Sequence, residues 1–122
     1  MTVGKDIHEF AKQLWGINRS ITGEGVRQTL NEIRTHLPEL MIRSVPTGRK
    51  VFDWTVPKEW RVLEAYLVTP SGHKICDFSV NDLHLVGYSV PVRTKMQLEE
   101  LQNHLYSLPE QPDAIPYITS YY

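Results

Sequence analysis

Apolar residues recur at helical spacing twice near the start of the chain and once near its end. Ile7, Phe10, Ala11 and Leu14 fall at i, i+3, i+4 and i+7, which predicts an amphipathic helix from Asp6 to Trp15. Asp6 places a carboxylate at the positive end of that helix, and Gly16 terminates it. Val26, Leu30, Ile33 and Leu37 repeat the spacing and predict a second helix from Gly25 to His36, with Thr22 as its N-cap, Glu24 in the first turn and Pro38 as the stop. Beyond Pro38 the period shortens. Leu40 to Val45 reads as a short strand, Pro46-Thr47-Gly48 as a turn, and Val51 to Val56 as an extended segment ending at Pro57. Val62 to Thr69 and Lys74 to Val80 alternate around Pro70-Ser71-Gly72-His73, a hairpin signal. Leu83 to Val92 reads as a further strand, with Pro91 at its edge or end. Leu98, Leu101 and Leu105 predict a third helix from Gln97 to Tyr106, and Pro109, Pro112 and Pro116 keep the remainder extended. Two helices, an antiparallel β meander, one helix and an extended tail give an α+β class. The expectation is a single domain over 1–122, helical over 1–38, β-rich over 39–92, with the third helix and tail in 93–122.

Composition narrows the function classes. A length of 122 residues suffices for one hydrophobic core. The net charge is −1, divided as +3 over the first fifty residues and −4 over the rest, so nothing suggests the clustered basic face that nucleic acid requires. Cys76, the single cysteine, excludes an intrachain disulfide, suits a reducing compartment, and is expected as a small buried hydrophobe. Met1 to Asp6 carries no signal-peptide apolar stretch and no run reaches membrane-spanning length, so no membrane association and a cytoplasmic location are expected. The closing residues Ile118-Thr119-Ser120-Tyr121-Tyr122 are apolar and aromatic where a terminus is usually polar. They read as a strand or core segment cut short, which predicts that the chain is a piece of a longer polypeptide. Ile7, Phe10, Leu14, Ile115, Tyr117, Ile118 and Tyr121 are then expected to form an exposed seam, available for a homodimer.

Candidate chemistry is sparse. His8, His36, His73, His84 and His104 show no paired metal-ligand spacing, and the best local grouping is Asp77, Asp82 and His84. On a strand, Asp82 and His84 would share a face, but a solvated turn carboxylate beside an ordinary histidine explains them equally well. No metal site and no catalytic residue is assigned. Asn18 to Gly25 is a glycine-containing loop that opens a helix and offers Arg19, Ser20 and Thr22 as donors. It suits an anion at a helix N-terminus or, more simply, a capped interhelical turn. Val51-Phe52-Asp53-Trp54-Thr55-Val56-Pro57-Lys58-Glu59-Trp60 holds two indoles six residues apart around a proline and two carboxylates. Such a stretch fits a packed corner or a recognition surface. Arg19, Trp54, Glu59 and Trp60 are the candidate substrate-binding residues.

These two stretches, together with Val26-Arg27-Gln28-Thr29-Leu30 and the segment from Leu105-Tyr106 through Pro109-Glu110-Gln111-Pro112-Asp113-Ala114-Ile115-Pro116-Tyr117, resemble a bacterial family of aminopeptidase-like proteins often associated with polysaccharide biosynthesis. The similarity runs from about Leu14 to Tyr122. It implies a zinc-exopeptidase-type α/β domain carrying a small inserted domain of unknown function, with the zinc ligands downstream of the segment matching Tyr121-Tyr122. No position here matches the ligand motif, so no cofactor is expected within this chain, while zinc is implied for the full-length protein. The chain then resembles the N-terminal portion of such a hydrolase, partnered by the remainder of the aminopeptidase-like domain. A standalone module for a peptide, glycan or protein partner is the alternative.

Overall fold

A computed structural model describes residues 2–118 and shows an α+β chain: helices, short antiparallel strand pairs and long irregular connections. It divides into two compact units, 1–61 and 62–122. Among the described residues no helix is long and apolar enough to cross a membrane.

In the first unit, α1 (Val3–Trp15) starts three residues ahead of the predicted position and ends at Gly16 as expected. The second helix, α2 (Glu24–His36), matches its prediction to within one residue and stops before Pro38. The ring of Phe10 meets that of His36 edge-on, with centroids 4.7 Å apart. The start of α2 differs from expectation. Gly23, not Thr22, is the N-cap residue, at φ 131°, and no side chain caps the helix. The Thr22 hydroxyl is buried without a hydrogen-bond partner, while its carbonyl accepts from the Ser20 hydroxyl. The reason lies one turn further on. A Cβ built on Gly25 would sit 1.9 Å from the Asn18 carbonyl oxygen. The loop backbone passes where a side chain would be, and that approach sets the chain's entry into the helix.

The β-rich part is less regular than the pattern predicts. Leu40 to Val45 is irregular rather than a strand. Pro46 to Arg49 forms the predicted turn, closed by Arg49 N–H donating to Pro46 O with Gly48 at φ 84°. Val51 to Val56 is not one extended run but most of a hairpin, in which β1 (Lys50–Val51) pairs antiparallel with β2 (Trp54–Thr55) around Phe52-Asp53. Phe52 takes φ 54° and is wholly exposed. Val56 continues the pairing with Gly48 and Arg49 and is the one buried apolar side chain among the described residues.

In the second unit, β3 (Leu67–Val68) pairs with β4 (Lys74–Ile75), confirming the predicted hairpin with much shorter strands. Gly72 N–H donates to Thr69 O, and Gly72 then takes φ 87°, so a turn opened by Pro70 is followed by a left-handed residue that restores register. The antiparallel pairing thus consists of two separate two-strand ladders. Cys76 follows β4 at φ 50° and is exposed, which corrects the expectation that it is buried. Leu83 to Val92 is not a strand. A 3-10 turn over Asp82–His84, capped by the Asn81 side chain accepting from Leu83 N–H, begins an irregular run in which Tyr88 has φ 62°. The third helix shrinks to α3 (Leu98–Leu101) followed by a 3-10 turn, Gln102–His104.

The core is thin. The chain exposes 10905 Å². Two separate compact bodies of half its mass would together expose about 8000 Å². Apolar surface that a chain of this composition would normally bury is therefore open to solvent. Of the predicted seam, Ile7 and Tyr117 are strongly exposed, Ile115 is less so, Phe10, Leu14 and Ile118 are half-buried, and Tyr121 lies outside the described residues.

Two glycines give opposite expectations. Gly25→Ala drives a methyl group into the Asn18 backbone and should cost about 2 kcal/mol or more. Gly4→Ala has open space within α1 and should stabilise by up to about 1 kcal/mol. Thr22→Val removes a buried hydroxyl that lacks a partner and should be neutral or stabilising, whereas an N-cap threonine would show a loss of about 1 kcal/mol. Urea unfolding of the three variants checks all of these signs.

Candidate functional site

The two stretches that stand out in the sequence come together within the first unit, and Arg27 joins them. Its Nη1 donates to Glu59 Oε1 at 2.6 Å and its Nη2 to Glu59 Oε2 at 3.0 Å, while Nε donates to Glu24 Oε2 at 2.9 Å. A planar guanidinium fork fits a carboxylate in this paired geometry, and lysine cannot reproduce it. One turn of α2 thereby holds the segment after Pro57. Alongside, Gly23 packs against the Trp60 backbone, where an added Cβ would lie 3.4 Å from the carbonyl oxygen.

Each predicted binding residue can now be placed. Arg19 is exposed, its Nη1 donating to Leu14 O at 2.8 Å and to Thr29 Oγ1 at 3.4 Å, so it ties the end of α1 to the middle of α2. Glu59 is held by Arg27. Trp60 is half-buried beside Gly23. Trp54 stands on β2 with 43% of its surface exposed. The structure therefore brings Glu59 and Trp60 to the α2 N-terminus, leaves Trp54 on the hairpin, and engages Arg19 elsewhere on the same helix. Arg27 is the residue that sequence reasoning missed. Its spacing from Glu24 was a visible i,i+3 signal, but its bond to Glu59, 32 residues away, had none.

The second unit holds a smaller polar cluster. Lys74 lies 3.9 Å from the Tyr66 ring centroid and 3.3 Å from Asp77 Oδ2. Asp77 Oδ1 accepts from Ser79 N–H and Oγ–H, which with Lys74 lowers its pKa below the ordinary value. Asp82 and His84 sit on a 3-10 turn, not on one face of a strand. Among the described residues no three His, Cys, Asp or Glu side chains converge as a metal would require. The arrangement locks backbone segments to one another.

Residues 59–122 match a family described as a domain of unknown function, DUF2172. The chain belongs to the DUF2172 family. The match opens at Glu59, close to the boundary between the two compact units. This DUF2172 chain is also 50% identical over 119 residues to a Clostridium acetobutylicum protein named "Putative polysaccharide biosynthesis protein with aminopeptidase-like domain", covering 98% of the chain and 27% of that protein. A crystal structure of a C. acetobutylicum protein described as a "putative peptidase" superposes with a TM-score of 0.91 at 50% identity, covering 98% of this chain and 28% of that one. The DUF2172 chain thus spans about a quarter of the length of the relatives it matches, and two of its helices lie ahead of the part that defines the family.

Acid should loosen the α2 clamp. The Arg27 hydrogen bonds hold the Glu59 carboxyl below its ordinary value of 4.5. A lowered carboxylate pKa contributes stability above the unfolded-state value and loses it as the pH falls through the folded-state value. Stability measured by urea unfolding should therefore drop as the pH falls below about 4.5, and Arg27→Met should flatten part of that drop. Arg27→Lys should restore it incompletely, because the fork is lost. Equal acid profiles for Arg27→Met and the parent chain would refute the role of the clamp.

Proposed function

We propose that this chain is a non-catalytic portion of a larger zinc-dependent aminopeptidase-like hydrolase, packing on the hydrolase part and lining one wall of its substrate cleft. The observation that carries the reading is 50% identity across 98% of the chain to 27% of a longer protein with an aminopeptidase-like domain in its name. The described residues offer no converging set of ligands for zinc, and in this reading the metal and its hydrolytic chemistry belong to the remaining three quarters. What this chain would supply is shape. The α2 clamp of Arg27 and Glu59 fixes the segment carrying Trp60, and the hairpin presents Trp54. Trp54, Trp60, Glu59 and Arg19 remain the proposed substrate-side residues, with Arg19 and Glu59 acting by holding backbone in place, since both are already engaged.

A second reading is a binding module for a peptide, glycan or protein, and one observation favours it. The β1–β2 hairpin places Phe52 fully in solvent beside a half-exposed Trp54, and it holds Phe52 in a backbone region that side chains rarely adopt.

Metal analysis and an aminoacyl-anilide assay on the 122-residue chain and on the full-length C. acetobutylicum protein separate these readings. The expected result is chelator-sensitive turnover by the full-length protein, with neither turnover nor stoichiometric zinc in the isolated chain. Zinc with turnover in the isolated chain, or a full-length protein inert towards every aminoacyl substrate, would sink the hydrolase reading.

A further inference from the structure

The first helix carries more apolar surface than its own unit covers. Its inner edge, Phe10 and Leu14, is half-buried, and Phe10 meets His36. Next to that edge runs a second row, Val3, Ile7, Ala11 and Trp15, at a constant spacing of four residues. Rows of this spacing are the ridges by which helices pack into one another's grooves. Every residue of this row is exposed: Val3 by 75%, Ile7 by 64% and Trp15 by 85%, with the small Ala11 between the two largest. Outside the ridge, His8 and Lys12 line an open depression with Ala11 and Trp15. Lys5 lies on the same side of the helix, three residues before His8. Lys12 also makes an exposed pair with Glu9 at 3.6 Å, a contact of little energetic weight.

We infer that this ridge is the docking face for an amphipathic helix with carboxylates along one rim, supplied by the aminopeptidase-like part of the longer polypeptide. The inference rests on the functional reading above for the identity of that partner. Three considerations select it over a second copy of this chain. The exposed ridge offers on the order of 400 Å² of apolar surface, about half of what each partner of a standard free-standing complex contributes. A tethered segment needs less, because its effective concentration reaches the millimolar range. In an antiparallel two-fold pair the basic rims of both copies would fall on the same side and repel. Finally, the relative of 50% identity has three quarters of its length outside the matched region. Ala11 marks the crossing point, where the small methyl side chain lets the incoming helix approach between Ile7 and Trp15, and Lys12 meets its acidic rim.

Hydrogen exchange tests the docking without relying on turnover. The 122-residue chain is compared with a chimera in which it replaces the matching quarter of the C. acetobutylicum protein. Amides of α1 should exchange at least about tenfold more slowly in the chimera, at concentrations where the isolated chain shows no protection of its own. Lys12→Glu should remove most of that gain and Lys12→Arg should keep it. Equal exchange in both forms, or full protection in the Lys12→Glu chimera, overturns the proposal. Protection that grows with the concentration of the isolated chain identifies a second copy as the occupant and overturns it too. If the chimera does not fold, the helix aligned with Val3–Trp15 in the native C. acetobutylicum protein must show the protection instead, and its absence there is equally decisive. A full-length protein that is protected at this helix but hydrolyses nothing would end the hydrolase reading and leave the docking intact.

Discussion

The carbonyl of Asn18 occupies the space where any residue but glycine at position 25 would carry its side chain. That close approach lets the chain leave α1, pass through Ile17 to Thr22 and enter α2 in so few residues. Gly23, at a φ that favours glycine, completes the path and packs against the Trp60 backbone. With the helix start fixed, Arg27 lies one turn along and reaches Glu59, while Thr29 receives Arg19. The ties that bring the loop after α1 and the segment after Pro57 to one place are anchored to this helix. These ties supplement a core in which Val56 is the one buried apolar side chain among the described residues, where a domain of ordinary design relies on a larger core.

Legibility in the sequence followed locality. The first two helices were readable from period alone, because four apolar positions at helical spacing leave little else to form. The Pro70–His73 hairpin was readable because proline and glycine stand where the turn needs them. The Phe52-Asp53 turn was not, since a phenylalanine at positive φ is rare and the Val51–Val56 run has neither glycine nor asparagine beside Asp53 to mark it. Leu40 to Val45 and Leu83 to Val92 have strand-like composition but no ladder among the described residues, and composition cannot supply a pairing partner. Thr22 illustrates a different limit. Its residue type suits an N-cap, but the close approach at Gly25 shifted the cap to Gly23 and left the threonine hydroxyl inside.

For the site, the sequence directed attention to the right two stretches without showing how they join. Glu59 and Trp60 do meet the start of α2, through Arg27 and Gly23, which no local pattern marks. Arg19, read as a candidate anion contact, gives its Nη1 to Leu14 O and Thr29 Oγ1. The family resemblance read from these stretches agrees with the matched relatives, of whose length this chain spans about a quarter.

The separation of 32 residues between Arg27 and Glu59 has a kinetic meaning. The two hairpins and the glycine-packed loop join residues only a few positions apart, so little loop-closure entropy delays their formation. Chains dominated by such local contacts fold in microseconds to milliseconds. Closing the 32-residue span from Arg27 to Glu59 is then the slower step, taken once the local turns and helices are in place.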